Sequence, residues 1–588
     1  MLLGKDAHVT SKSYIVSSLL VCCLLSFSFF SAAEPTREPE AASGLVKKKA
    51  AQGKQFAVAT ANIHASNAAY QMLEAGGSAV DATIAAQMVL TLVEPQSSGI
   101  GGGAFMLHYS GDDKVLTTFD GRESAPEKAS PDMFLQADGT PMKWIDALVG
   151  GKSVGVPGLV AMLKMAHEKH GVLPWNDLFK PAISLAENGF EVSPRLAKLV
   201  AANFNPAMGL FDTNKAYFFP EGQPVRAGHL LKNPQLAATF RLIAEHGPEA
   251  FYQGELAKEI VTTVRNAKVN PGLLSEKDLI HYTALERTPI CDQYRGYRVC
   301  GMAPPSSGGI AVLQILKLLE FRNIGELKPN SADAVHLFTQ ASKLAYADRN
   351  LYLADSDFVS VPLVEMLDPR YLELRHGQIT GRDSGVVEAG QPVDYLRALD
   401  ETPEFDSTSH LSIVDAKGNA VSMTSSIEMG FGSGLMVGGF LLNNQMTDFS
   451  LVPNRAGTPV ANSIAPGKRP RSSMAPTMVF RPDGSLFLLV GSPGGSRIID
   501  YVAWSIIARI DWKLTLQEAI NLPRVTNRND YTALEKGSEL AILKKALEVR
   551  GHRVRLIDLN SGIHAIEVHP GKLISAADPR REGVAVAK

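Results

Sequence analysis

Cysteine is scarce: the 588-residue chain carries four, Cys22, Cys23, Cys291 and Cys300. No C-x-x-C spacing occurs, and no base adjoins Cys291 or Cys300, so neither reads as a redox or nucleophilic thiol. An excess of charge of one sign is also missing. Lys and Arg number 58 against 60 Asp and Glu, which leaves −2 and no basic footprint for nucleic acid. The 14 histidines are scattered without ligand spacing, so neither a metal nor a cofactor is expected. The glycine cluster SSGIGGGAFMLHYS, at 97–110, is followed by a strand pattern and no GK[ST], which argues against a phosphate loop and for close backbone packing near a site. No repeat of fixed period is present.

Long apolar runs are confined to one place. Lys5 and Lys12 precede the run from Tyr14 to Phe30, and Ser31-Ala32-Ala33 supplies small residues before Glu34. That order predicts a signal peptide over 1–33, cut after Ala33, and therefore an exported, periplasmic or secreted protein with no membrane segment once the signal is removed. The competing reading is an anchor, but a run of about 17 residues is short for a span of roughly 20. Lipid attachment at Cys22 is disfavoured by the bulk of Val21 before it. The polar, Ala-rich stretch 34–54 is expected to be a flexible leader, with structure starting at QFAVATAN. In PICDQYRGYRVC, two strand-like runs flank a turn at Arg295-Gly296. An oxidising compartment would allow Cys291 to bridge Cys300; two buried free thiols are the alternative.

With 45% hydrophobic and 20% charged residues, the remainder has an ordinary globular profile. Its length suits about three or four domains or one large body. Helical periodicity covers 66–74, and a second helix over 78–93 is apolar nearly all round, which predicts burial. APPSSGGI opens another helix through Leu319, and the middle of the chain, 175–374, reads mainly as helices. After Pro403 the character changes. HLSIVDAKGNAVSMTSSI predicts two strands around Lys417-Gly418-Asn419, and TMVFRPDGSLFLLVGSPGG two more around Asp483-Gly484, followed by a helix that starts at the glycines. Thr408 stands where this strand-rich part begins.

Eight segments together carry a family resemblance: GGSAVDATIA (76–85), GIGGGAFML (99–107), FDGRESAP (119–126), LAYADRNLYLAD (344–355), STSHLSIVD (407–415), LNNQMTDFS (442–450), KRPRSSMAPT (468–477) and GSPGGSR (491–497). The chain resembles the γ-glutamyltransferases (γ-glutamyl transpeptidases, glutathione hydrolases), which are N-terminal-nucleophile hydrolases. The resemblance implies an α+β, four-layer αββα sandwich. It also implies self-cleavage between Ser407 and Thr408 into a large subunit, 55–407, and a small subunit, 408–588, intertwined in one body. Thr408 would then use its own freed α-amine as base, since a threonine hydroxyl alone is a poor nucleophile and an α-amine of pKa about 7.7–8.0 is partly neutral near pH 8.

On the same resemblance, Gly494 and Gly495 offer backbone N–H groups to an oxyanion, and Ser426 hydrogen-bonds the nucleophile. Arg122, Ser472 and Ser473 meet the substrate α-carboxylate; Gln445, Asp448 and Glu428 meet its ammonium. His410 is expected to be structural. The implied substrates are glutathione and other γ-glutamyl compounds, with water, amino acids or dipeptides as acceptors. Two departures bear on which acyl group is taken: Glu428 stands where close transpeptidases carry Asn, and the 451–467 loop is short and lacks an aromatic cover. They motivate an alternative, a glutaryl-cephalosporin acylase or poly-γ-glutamate hydrolase. An uncleaved periplasmic binding protein is the reading from a different class.

Overall fold

The computed structural model describes Glu40, residues 44–405 and residues 407–588. The expected signal peptide, 1–33, lies outside the described residues, as does Asp406.

Fourteen strands build two sheets. They are β1 (Ala51–Gly53), β2 (Ala57–Thr60), β3 (Gly103–Tyr109), β4 (Leu116–Asp120), β5 (Leu285–Arg287), β6 (Ile290–Tyr294) and β7 (Tyr297–Gly301), then β8 (Ser409–Val414), β9 (Ala420–Ser426), β10 (Thr477–Phe480), β11 (Leu486–Gly491), β12 (His564–His569), β13 (Lys572–Ala577) and β14 (Val584–Ala587). One antiparallel sheet runs β1-β13-β12-β11-β10-β7-β6 and the other β14-β2-β8-β9-β3-β4-β5. Period-2 alternation shows how they stack. In β3, Ala104 and Met106 join the core that holds α1 (Ile63–Glu74) and α2 (Ala79–Val93), whereas Phe105, Leu107 and Tyr109 face the second sheet. That second core continues to α3 (Gly308–Glu320), α4 (Ala332–Tyr352) and α5 (Ile498–Ile510). Helices therefore cover the outer face of each sheet, giving the αββα sandwich.

Local chemistry explains the elements. Helix α2 is buried at every position, and Ser78 and Asp81 close a reciprocal capping box at its start. The β8–β9 hairpin closes because Asp415 Oδ1 accepts the amides of Lys417 and Asn419, and Gly418 takes φ +78°. In the glycine-rich segment, a Cβ on Gly102 would sit 2.2 Å from the Ser426 carbonyl oxygen, so the cluster serves backbone approach to β9. Cys291 and Cys300 are paired across the β6–β7 hairpin and joined by a disulfide. Among the described residues no helix is long and apolar enough to cross a membrane.

The start of ordered structure differs from expectation. Among the described residues pairing begins at β1, ahead of Gln55, and Lys48 and Glu40 before it are held by partners elsewhere in the fold. Lys48 Nζ donates to the Asp578 and Arg581 carbonyls at 2.7 and 2.6 Å and to that of Gly583. Glu40 is buried against Arg195 and Arg581. For Glu40 and 44–54, the described part of the expected leader, a composition-based reading as free chain missed these contacts because their partners lie far off in sequence. Removing the Lys48 ammonium leaves its carbonyl acceptors without that donor. Lys48→Ala should therefore destabilise the protein by about 1–3 kcal/mol in denaturant titration, with little change if the leader contributed nothing.

Candidate active site

Thr408 is 4% exposed and directly precedes β8, in the middle of a sheet. The chain is continuous there, and the Thr408 hydroxyl donates to the Ser407 carbonyl oxygen. Across the hairpin, register pairs Ser409 with Ser425, which brings Ser426 opposite Thr408. Ser426 Oγ donates to the same Ser407 carbonyl at 3.0 Å, accepts the Glu428 amide at 2.8 Å, and lies 3.4 Å from Thr408 Oγ1. Ser407 Oγ donates to the Gln96 carbonyl. One carbonyl carbon thus has a hydroxyl beside it and a donor on its oxygen, the polarisation that acyl chemistry uses.

The glycine turn closes one side. Gly494 takes φ +134° and Gly495 φ +53°, which lets β11 enter α5 within a few residues, and Gly495 lines the cavity with Ile498 and Met474. The opposite side comes from a short helical turn, Gln445–Asp448. Asn443 holds it by bonding the Gly101 and Gly155 carbonyls, and Asn444 takes the Met429 amide and donates to the Glu428 carboxyl. Glu428 has φ +79°, a left-handed backbone uncommon for a residue with a side chain.

Arg122, 1% exposed, gives Nη1 to Gln445 Oε1 at 2.8 Å and Nη2 to Asp448. Its Nη2 also reaches the Arg471 carbonyl at 3.0 Å. Ser472 and Ser473 lie on the same cavity, so the ten residues expected from the sequence to bind or react here converge, apart from Gly494, which stands one residue behind the wall. Arg122 is engaged by Asp448 and Gln445, two groups assigned from the sequence to the opposite charge of a substrate. The cavity itself is about 30 Å³, room for about one or two waters.

Residues 404 and 405 account for that small volume. Glu404 lines the cavity, bonds Ser473 Oγ at 2.6 Å, and pairs with Arg349 and Arg471. Phe405 lines it too and stacks on Trp144 with ring centroids 4.0 Å apart. The sequence reading missed Glu404, Phe405, Arg349 and Arg471, although both arginines stand inside recognised segments. The available signal was an acid four residues ahead of Thr408, one of several there, and Arg471, which has no acidic residue in its own segment.

Burial sets the ionisation. It pushes the Glu404 carboxyl up, but Arg349 and Arg471, with the Ser473 hydrogen bond, overcome this and hold it at about 2. Burial raises Asp448 to about 6 against the pull of Arg122. Burial and the neighbouring Asp448 lift Glu428 well above the carboxylate range. Glu123, beside Arg122, is raised by burial to about 8. Burial and then His564 hold His410 well below its ordinary value, and its ring is bonded to Thr424 Oγ1 and Ser412 Oγ at 2.8 and 3.2 Å. A neutral imidazole so occupied is a packing element.

A family model of the gamma-glutamyltranspeptidases matches residues 65–588. The chain belongs to the γ-glutamyltranspeptidase family. It is 39% identical over 582 residues to the glutathione hydrolase proenzyme of Escherichia coli K12, covering 97% of this chain and 98% of that one. The acylase ACY 1 proenzyme of Pseudomonas sp. SE83 is 35% identical over 567 residues, covering 94% of this chain and 97% of that one. The cephalosporin acylase structure from Bacillus halodurans superposes with a TM-score of 0.81 at 28% identity, covering 94% of this chain and 99% of that one. This γ-glutamyltranspeptidase-family chain therefore shares its fold with transpeptidases and with acylases.

The raised Glu123 pKa has a consequence for stability. Its folded value, about 8, exceeds the ordinary 4.5, so the folded state keeps a proton that the unfolded chain has lost. The contribution of this carboxyl to stability is full below about 4.5 and is lost as pH rises to about 8. With Thr408→Ala as the common background, Glu123→Gln should flatten the decline of melting temperature between pH 5 and 9. An unchanged profile would assign Glu123 an ordinary carboxylate.

Proposed function

We propose that Thr408 is the nucleophile of a self-processing γ-glutamyl transferase and hydrolase. The chain is an enzyme of the γ-glutamyltransferase kind, and its relatives include glutathione hydrolase proenzymes. The observation that carries the assignment of Thr408 is the pair of hydroxyls on one carbonyl: Thr408 and Ser426 both meet the oxygen of Ser407.

In the first stage Thr408 Oγ attacks the Ser407 carbonyl carbon, while Ser426 donates to the carbonyl oxygen. The C–N bond between the two residues breaks, nitrogen takes the proton, and the acyl group rests on Oγ as an ester. Water then hydrolyses the ester, restoring the Thr408 hydroxyl beside the α-amine already freed and releasing a large subunit that ends at Ser407. In the second stage the amine takes the Oγ proton as Oγ attacks a γ-glutamyl carbonyl, and the Gly494 and Gly495 amides stabilise the oxyanion. The leaving amine departs protonated, for example as Cys-Gly from glutathione. Water, or the amine of an amino acid or dipeptide, resolves the new ester. Arg122, Ser472 and Ser473 take the donor α-carboxylate, and Asp448, Gln445 and Glu428 take its ammonium. The signal-like segment at 1–33 supports export to the periplasm or medium. No cofactor enters this scheme.

Acylase chemistry is the second reading, favoured by Glu428 and by the likeness to acylases. Comparison of γ-glutamyl and glutaryl anilides decides between them, because glutaryl lacks the ammonium. A preference for glutaryl would move the assignment to an acylase.

Thr408→Ala should abolish both cleavage and turnover, and N-terminal sequencing of the wild-type small fragment should begin Thr-Ser-His. An active wild-type protein that stays in one piece would overturn the nucleophile. Arg122→Lys keeps the charge beside Asp448 but loses the planar fork. It should still self-cleave and show KM for γ-glutamyl donors raised about 10-fold or more, the worth of a charge-assisted hydrogen bond.

A further inference from the structure

Three buried guanidinium groups belong to this locus: Arg349 donates to Ser473 Oγ at 2.6 Å, Arg122 lines the cavity with Ser473, and Arg471 shares the Glu404 carboxylate with it. Asp448 pairs with Arg122, and Asp400 lies 3.0 Å from Arg471. The carboxylate of Arg349 is Glu404, which Arg471 also reaches at 3.3 Å and to which Ser473 donates at 2.6 Å. Arg471 Nε and Nη1 are buried and have no hydrogen-bond partner among the described residues, so the locus has more donors than Glu404 uses.

Glu404 lies only four residues ahead of Thr408, on the piece that self-cleavage separates from the nucleophile. While it and Phe405 stay in place, a cavity of about 30 Å³ cannot admit a glutamyl group. Turnover therefore requires this tail to move out. Its departure strips Arg349 of its carboxylate and leaves a buried cation without a counter-ion, which is strongly disfavoured. Burial and the charge of Arg471 already lower the proton affinity of Arg349.

We propose that Arg349, Arg471 and Ser473 form a carboxylate seat, filled by Glu404 in the uncut chain and by the acyl donor's own carboxylate, alongside Arg122, after cleavage. Glu404 is then a tethered substrate mimic that keeps the site folded and closed until Thr408 is free. The inference rests on the acyl-transfer reading of Thr408 and extends it to two specificity-determining arginines.

The test uses the mature, self-cleaved enzyme and two anilide donors: the γ-glutamyl compound, and its analogue with the α-carboxylate replaced by a carboxamide. Arg471→Met should raise KM about 10-fold or more for the carboxylate donor, change kcat far less, and leave KM for the carboxamide nearly unmoved. Arg471→Lys should recover part of the loss. Equal effects on both donors, or no effect on either, would overturn the seat. A second arm needs no arginine variant. Glutarate should raise the melting temperature of the mature wild type and not that of uncut Thr408→Ala, where Glu404 holds the seat. Equal protection of both, or of neither, also refutes the proposal. Failure of the acyl-transfer reading itself would show earlier, as a wild-type chain that never splits on a denaturing gel.

Discussion

Charge inside a cavity of about 30 Å³ walled by buried side chains has to be matched group by group, and this requirement shapes the site. Arg122 is matched by Asp448, and Arg349 by Glu404. Glu428, with no cation of its own and Asp448 close by, is pushed by burial and that neighbour well above the carboxylate range. On the proposed reading the same ledger accommodates a zwitterionic donor. The acidic tail leaves with one negative charge, and the donor carboxylate restores it. The donor ammonium adds one positive charge, which the Glu428 carboxyl can offset by releasing its proton. An apolar pocket with a single arginine would have no such reserve. A carboxyl at position 428 thus acts as an adjustable charge, where an amide could only donate or accept hydrogen bonds.

Backbone geometry supplies the other half of the arrangement. Thr408 and Ser426 are eighteen residues apart, yet antiparallel register makes them neighbours. The turn at Asp415–Asn419 fixes that register, and glycines at 101 and 102 let the adjoining segment approach without side chains in the way. Alternation along β8 sends His410 toward the other sheet, where Gly491 leaves space for its ring. A histidine two residues from the proposed nucleophile is thereby unavailable as a base, and the free amine of Thr408 is the group left to serve.

Much of this was legible in the sequence where the signal is local. The hairpin turns, the all-apolar helix α2 and the glycine-opened helices are set by neighbours a few residues away, and the structure places them within a residue or two of expectation. The site residues within the recognised segments also line one cavity, Gly494 excepted. What escaped depends on pairing across long separations. Lys48 meets carbonyls some 530 residues on, Glu40 meets Arg195, and Glu404 meets Arg349 and Arg471. A single charged residue in sequence looks the same whether it is solvated or locked to a distant partner. The contact of Ser426 with the Ser407 carbonyl needed the register of two strands, which the pattern of hydroxyls alone does not give.

Cleavage, on this account, couples two requirements through a single covalent bond. Before it breaks, the Ser407–Thr408 peptide ties up the nitrogen that must become the base, and it holds Glu404 and Phe405 in the space the donor needs. Breaking it frees the amine and unties the tail in one event, so neither half-state can do chemistry on outside substrates. A precursor with a free base but a filled pocket, or an open pocket with no base, would require the two functions to sit on separate chain segments. Their adjacency, four residues apart across the scissile bond, makes latency a property of chain connectivity, with no additional inhibitor required.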